Sequence, residues 1–155
     1  MSFQITALPR EIFEPFFKMS NADLVVHGAR RIVVSESPGS PCRVSLADAA
    51  VGESVLLVNY CHQTADTPYR ATHAIFVRED AHEVRPEVGE VPAVISTRLI
   101  SARVFDAEHM MIDAEVVEGH RLKARLEDVF ADPKVSYVHL HNAKPGCFAA
   151  AVSRA

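Results

Sequence analysis

The chain has 155 residues, of which 48% are hydrophobic and 23% are charged, and its formal net charge is −4. The length predicts a single globular domain over residues 1–155, and the composition excludes a chain that stays disordered. The negative charge excludes a global basic field, so we expect no nucleic-acid partner.

The N-terminal part of the chain contains one helical pattern and one strand pattern. Pro9 can open a helix with apolar residues on one face, at positions 12, 13, 16 and 17. Because Pro15 lacks the backbone N–H that a helix interior needs, we expect one kinked helix or two short helices. Residues 23–34 hold two β-branched clusters on either side of Gly28, which predicts a strand, a turn or bulge, and a second strand. Two prolines make residues 37–41 an irregular loop.

Two strands are expected in the middle of the chain. Residues 54–60 are nearly all apolar and branched, which is typical of a strand covered on both faces. Residues 73–78 form a second strand candidate, and we expect both strands to lie centrally in the sheet. The polar, proline-containing residues 63–72 and 79–92 predict surface loops around them.

A β-hairpin is expected from residues 98–105 and 110–117, which flank the four-residue connection 106–109. Alternation along its second strand predicts a buried apolar face, made of Met110, Ile112, Ala114 and Val116. Asp113 and Glu115 then lie on the opposite face, where solvation is the ordinary explanation for acidic side chains.

An amphipathic helix and two strands complete the chain. The helix is predicted by apolar residues at helical spacing, which are Leu122, Leu126, Val129 and Phe130. The pair Asp132 and Pro133 ends this helix, and short strands follow at residues 135–141 and 147–152. Because hairpins outnumber strand–helix alternations, we expect an α+β fold with a mixed, mostly antiparallel sheet and a few short helices packed on it.

The chain carries no sign of export or membrane insertion. Its first residues lack the basic start and apolar stretch of a secretory signal, and no window approaches the roughly 20 apolar residues that cross a bilayer. The cysteines, Cys42, Cys61 and Cys147, show no pairing pattern, which is typical of reduced thiols. We therefore expect a cytoplasmic protein with no membrane partner.

Two histidines on one predicted strand form the first candidate site. Because side chains alternate along a strand, Tyr137, His139 and His141 project from the same face. A His-x-His pair offers two neutral nitrogen ligands for zinc or iron, but a third ligand from elsewhere is required. The candidates for this third ligand are Cys42, His62, His73 and Cys147. The alternative is that both histidines are hydrogen-bonded residues of the sheet.

The turn after this strand is the second candidate site. The backbone N–H groups of residues 142–146 and the Lys144 ammonium can together bind a carboxylate or a phosphate. An arginine can add a bidentate contact, and the candidates are Arg43, Arg98 and Arg103. The alternative is an ordinary turn with a solvated lysine.

A cysteine nucleophile is the third candidate. Cys147 lies close in sequence to His141, and the thiolate of a Cys–His pair can act as a nucleophile. The alternative is a packed thiol, because cysteine is among the residue types most often buried. The sequence has no glycine-rich nucleotide motif, Gly-x-Ser-x-Gly elbow or His-Glu-x-x-His. It therefore assigns neither a reaction nor a cofactor.

Four blocks stand out in combination: PGSPCRVSL at residues 38–46, NYCHQ at 59–63, HAIFV at 73–77 and HNAKPGC at 141–147. Together they resemble an uncharacterised bacterial family, domain of unknown function 1203, along most of the chain. The resemblance implies a bacterial origin and carries no established activity. Because these blocks hold the polar residues singled out above, we expect them to meet at one pocket.

Three functions are compatible with these residues. The first is a small-molecule binding or enzymatic domain that selects an anionic ligand. Its pocket residues are Arg43, His62, His73, His139, His141, Asn142, Lys144 and Cys147, and its catalytic candidates are Cys147 and His141. The second is a non-catalytic interaction module, or a homodimer, that uses the sheet face bearing Tyr137 and His139 or the loop 79–92. The third is a metal-binding protein built on the His139 and His141 pair.

Overall fold

Eight β-strands and four short α-helices make up the fold in this computed structural model, which describes all residues from Met1 to Ala155. The strands are β1 (Phe3–Thr6), β2 (Ala29–Val33), β3 (Ser54–Gln63), β4 (Ala71–Arg78), β5 (Leu99–Phe105), β6 (Met111–Glu118), β7 (Tyr137–Asn142) and β8 (Phe148–Arg154). The helices are α1 (Glu14–Phe17), α2 (Asn21–Val26), α3 (Ala93–Ser96) and α4 (Leu122–Val129). The two 3₁₀ turns are Arg10–Ile12 and Gly119–Arg121.

The strands form two antiparallel sheets, which confirms the α+β prediction. The larger sheet has five strands in the order β1-β8-β7-β5-β6, and the smaller sheet has three strands in the order β2-β3-β4. None of the helices has the length and apolar character needed to cross a membrane.

The chain divides into two compact units. The first unit contains Met1–Thr6, Cys61–His73 and Arg85–Ala155, and it includes the whole five-stranded sheet with α3 and α4. The second unit contains Ala7–Tyr60 and Ala74–Val84, with β2, the first two helices and most of β3 and β4. The single-domain organisation expected from the chain length stays a prediction.

Strand β7 lies inside the larger sheet, between β5 and β8. Val138 and Leu140 are fully buried on one of its faces, so His139 and His141 project from the other face, as alternation predicts. Helix α4 also confirms its prediction, since its apolar residues and the adjacent phenylalanine are all buried: Leu122, Leu126, Val129 and Phe130. The patterns at the C-terminal end of the chain therefore predicted their local structure.

A helix replaces the first of the two strands predicted between residues 23 and 34. Helix α2 begins after Ser20, whose Oγ accepts a hydrogen bond from the backbone N–H of Asp23 at 3.2 Å. This N-cap satisfies one of the N–H groups left free at a helix start. Val25 and Val26, which suggested a strand, are exposed and therefore bring no packing that would favour a sheet. The second predicted strand is confirmed as β2.

The remaining predictions of the N-terminal half are confirmed with one correction. The second of the two expected arrangements occurs, because two short helical segments form, Arg10–Ile12 and α1. Pro15 lies in the first turn of α1. Strands β3 and β4 occur where the apolar runs predicted them. Only β3 is central, however, because β4 is at the edge of the three-stranded sheet. Strand β1 was not predicted and pairs with β8.

The predicted hairpin is confirmed as β5 and β6, but its predicted buried face is wrong. Ile112 and Val116 are 43% and 62% exposed, and the neighbouring Met110 and Ala114 are exposed as well. On the opposite face, Arg125 of α4 forms ion pairs with Glu115 and, at 3.7 Å, with Asp113. The acidic face of this edge strand therefore meets a helix, which sequence alternation alone does not specify.

Gly119 follows β6 in the chain, and its backbone closely approaches the segment that connects α3 to β5. A Cβ atom at this position would come within 2.6 Å of the Arg98 carbonyl oxygen and 2.7 Å of the Ser96 carbonyl carbon. Both neighbours are backbone atoms, so they cannot move aside as a flexible side chain would. The Gly119 N–H also donates a hydrogen bond to the same Arg98 oxygen at 2.8 Å.

Replacement of Gly119 by alanine is therefore expected to destabilise the protein by roughly 1–3 kcal/mol, the usual cost of overpacking. Urea unfolding monitored by circular dichroism measures this change. Gly39→Ala is the matched control, because its Cβ would meet Glu36 atoms only at ordinary contact distances of 3.5–3.7 Å. Equal unfolding midpoints for both variants would contradict the close approach.

Candidate metal centre

Three histidines of the first unit form a cluster on the five-stranded sheet. His139 and His141 lie on β7, and His62 lies near the end of β3. The ring of His62 is edge-on to that of His141, with 4.8 Å between ring centroids, and lies 6.3 Å from that of His139. Of the four candidates for a third ligand, the structure thus places His62 beside the pair.

The spacing of the imidazole nitrogens is close to that of a metal site. One candidate ligand atom from each histidine lies within 4.8 Å of the other two. Zinc–nitrogen bonds of about 2.0–2.1 Å place tetrahedral ligand nitrogens about 3.4 Å apart. Each nitrogen therefore needs to move inward by less than about 1 Å, which small ring rotations can supply.

The environment of His141 fixes which of its nitrogens is available. Its Nδ1 lies 2.9 Å from the Gly146 carbonyl oxygen, and a carbonyl can only accept, so Nδ1 carries the hydrogen and donates. The Nε2 atom then carries the lone pair, and it is buried without a hydrogen-bond partner. Orientation of a histidine through a backbone carbonyl is usual for metal ligands.

His62 has a comparable unsatisfied atom. Its Nδ1 is buried and has no hydrogen-bond partner. The His62 ring stacks on Phe148, with centroids 5.6 Å apart and planes 5° apart. Phe148 also contacts both other histidine rings edge-on, at 5.3 Å and 5.8 Å. An apolar ring therefore packs against all three imidazoles and limits their access to water.

All three histidines are neutral near pH 7. Burial, followed by the charge of Arg103 and the neighbouring His73, lowers the pKa of His62 to about 4. Burial, followed by His62 and Arg103, lowers the pKa of His139 to about 4. For His141, burial outweighs the hydrogen bond to Gly146 and brings the pKa to about 3. Neutral imidazole is the form that binds metal ions.

A hydrogen-bonded tyrosine supports the cluster from one side. The Tyr137 hydroxyl accepts a hydrogen bond from Gln63 Nε2 at 2.9 Å and lies 2.9 Å from His109 Nδ1, to which it can donate. Gln63 is buried and directly follows His62 in the chain, so this bond holds the end of β3. The Tyr137 ring also contacts that of His139 at 5.1 Å.

The turn predicted to bind an anion, residues 142–146, forms a hydrogen bond to His141 in the structure. The N–H groups of Asn142, Ala143 and Gly146 all donate to backbone carbonyls, so they are already occupied. Lys144 is exposed. The Gly146 carbonyl instead accepts from His141, as described above.

The predicted cysteine nucleophile is packed inside the first unit. Cys147 is buried, and its sulfur accepts a hydrogen bond from Asn142 Nδ2 at 3.6 Å. His73 lies near the start of β4 and contributes to lowering the pKa of His62, but it is not one of the clustered ligands.

Two of the predicted residues lie in the second unit. Arg43 is 1% exposed, and its guanidinium donates to the Pro41 carbonyl. The Cys42 sulfur accepts from the backbone N–H groups of Ser45 at 3.4 Å and Arg78 at 3.3 Å. These contacts give both side chains roles within their own unit.

Two open hollows occur elsewhere in the first unit. One lies between β6 and α4 and is lined by residues such as Val116, Arg121 and Arg125. The other lies near the β5–β6 turn and is lined by residues such as Ile112 and Lys134. Neither hollow contains a residue that sequence analysis predicted to bind a ligand.

Fold and site together define a small α+β protein with a cluster of three histidines, of which His139 and His141 are buried and His62 is partly buried. The chain belongs to the family described as protein of unknown function DUF1203, whose model matches residues 39–154. This confirms the resemblance found in the sequence, and the matched region includes all three histidines. No curated protein and no solved structure matches the chain.

Proposed function

We propose that this protein is a metal-binding domain in which His62, His139 and His141 hold one divalent transition-metal ion, with Zn²⁺ as the first candidate. The observation that carries the proposal is the buried Nε2 atom of His141, which has no hydrogen-bond partner. A buried polar atom without a partner lowers the free energy of unfolding by about 1–3 kcal/mol. A metal ion that binds the lone pair of this nitrogen offsets the loss.

The donor set selects the class of metal. Neutral imidazoles suit Zn²⁺, Cu²⁺, Fe²⁺ and Ni²⁺, whereas Mg²⁺ and Ca²⁺ prefer oxygen ligands. The cluster contains histidines alone. Three protein ligands on a tetrahedral ion leave the fourth position open, which is the pattern of reactive rather than purely structural zinc sites.

The geometry supports the other two functions less well. The anionic pocket expected from the sequence included Arg43, but the Arg43 guanidinium donates to the Pro41 carbonyl in the structure. One of the two surfaces expected for the interaction module was the sheet face that bears His139, but this side chain is only 8% exposed. A face that is already buried offers little surface to a protein partner.

Native mass spectrometry of protein loaded with Zn²⁺ and then desalted tests the proposal. We expect one zinc ion per chain, lost in each of the variants His62→Ala, His139→Ala and His141→Ala. The matched control is His120→Ala, because His120 is an exposed histidine of the same unit and should leave zinc binding unchanged.

Co²⁺ provides a measurement that does not depend on the folding of variants. Bound to the wild-type protein, Co²⁺ should show the intense visible d–d bands of a tetrahedral site, and Zn²⁺ should remove them by competition. A wild-type chain that takes up neither ion, or zinc binding that survives loss of all three histidines, would overturn the proposal.

A further inference from the structure

Arg103 is a charged group near the histidine cluster that has no partner in the protein. It lies on β5 directly opposite His139 of β7, so the two side chains project from the same face of the sheet. Its guanidinium forms neither an ion pair nor a hydrogen bond, although the residue is partly buried. Burial also lowers the pKa of Arg103.

No carboxylate balances this positive charge. The charged groups that shift the pKa values of the three histidines are Arg103 and histidines alone. A bound divalent ion adds two further positive charges beside the guanidinium. Because charges of like sign repel strongly in a partly buried site, the loaded centre requires an anion from solution.

We propose that the loaded centre binds a small carboxylate, with one oxygen on the open position of the metal and the other accepting hydrogen bonds from the Arg103 guanidinium. The proposal rests on the proposed function, since it needs the metal. An anionic ligand was also expected from the sequence, in a pocket that included Arg43. In this proposal, Arg103 is the arginine that binds it.

The surroundings favour a small ligand with an apolar substituent. The Phe105 ring contacts that of His139 at 5.2 Å, and Tyr69 packs edge-on against Phe105 at 6.1 Å. The Tyr137 hydroxyl already has two hydrogen-bonding neighbours, Gln63 and His109. The Arg103 guanidinium, which has no hydrogen bond in the structure, is thus able to orient a ligand near the metal, and its planar shape matches a carboxylate.

Titration of the Co²⁺-loaded protein with acetate tests the inference. Acetate should change the visible spectrum of Co²⁺ with saturation, whereas the neutral analogue acetamide should not. In Arg103→Gln, acetate affinity should fall about tenfold or more, the loss expected for a charge-assisted hydrogen bond. Arg103→Lys keeps the charge but not the planar fork, so its acetate affinity should lie between the two.

The same variants separate this inference from the proposed function. Arg103→Gln should bind Co²⁺ at least as tightly as the wild-type protein, because a repelling charge has been removed. The matched control is Arg121→Gln, which removes an exposed arginine of the same unit and should change neither affinity.

Each failure has a distinct meaning. Absence of a Co²⁺ spectrum in the wild-type protein would overturn both proposals. A Co²⁺ spectrum that acetate does not change, or changes equally in Arg103→Gln, would overturn the carboxylate site and leave the metal site standing. Weaker Co²⁺ binding by Arg103→Gln would also overturn the carboxylate site, since Arg103 would then contribute to binding of the metal instead of the anion.

Discussion

Zinc is expected to raise the free energy of unfolding of the wild-type protein by about 4 kcal/mol when free Zn²⁺ is a thousandfold above its Kd. In the proposed site, the ion binds the folded arrangement of His62, His139 and His141, which the unfolded chain does not hold together. For a chain of this size, about 4 kcal/mol corresponds to a rise in Tm of roughly 8–16 °C. This is a large share of the stability of an ordinary domain.

Thermal unfolding in EDTA and at increasing free Zn²⁺ measures the effect. His141→Ala should show no zinc-dependent rise in Tm, whereas His120→Ala should show the full rise. A rise that is equal in wild type and His141→Ala would mean that zinc acts at another site. A wild-type Tm that is independent of zinc would contradict the metal centre.

The stabilisation follows from what the metal-free site lacks. His141 Nε2 and His62 Nδ1 are buried donors or acceptors without partners, which folded proteins rarely tolerate. The sheet positions on which these histidines lie would accept apolar side chains at lower cost. Places where a sequence breaks the local rules of packing are often functional, and the proposed ion would bind these two atoms.

Half of this site was predictable from the sequence and half was not. The side-by-side position of His139 and His141 follows from the two-residue period of a strand, which needs only local information. His62 was one of four candidates for the third ligand, and its selection depends on where β3 ends relative to β7. The two strands are more than 70 residues apart, since Gln63 bonds to Tyr137 at a separation of 74 residues.

The fold shows the same division between local and distant causes. The hairpin of β5 and β6 and the helix α4 were predicted, because turn length and helical spacing are local signals. The buried face of β6 was predicted wrongly, because Arg125 of α4 pairs with the acidic face. In α2, the N-cap at Ser20 outweighed two β-branched valines that are exposed.

Acid is expected to destabilise the metal-free protein between pH 7 and pH 5. The expected cause is protonation of histidines in the unfolded chain, without any protonation of carboxylates. Unfolded histidines titrate near a pKa of 6.5, whereas burial holds the pKa of His62 and His139 at about 4 and that of His141 at about 3. Below pH 6.5 the unfolded chain therefore binds more protons than the folded chain. Stability then falls as the pH falls, until the pH reaches the pKa values of the histidines in the folded protein.

The slope is the diagnostic quantity. Each histidine that stays neutral in the folded protein contributes up to about 1.4 kcal/mol per pH unit, so several together should lower Tm by about 10 °C between pH 7 and pH 5. Urea unfolding in EDTA at several pH values measures the slope. Replacement of all three histidines by glutamine should flatten it, whatever the absolute stability of that variant, while His120→Ala should not. Stability of the wild-type protein that is constant over this range would mean that its histidines protonate in the folded state, and the cluster would then not hold neutral metal ligands.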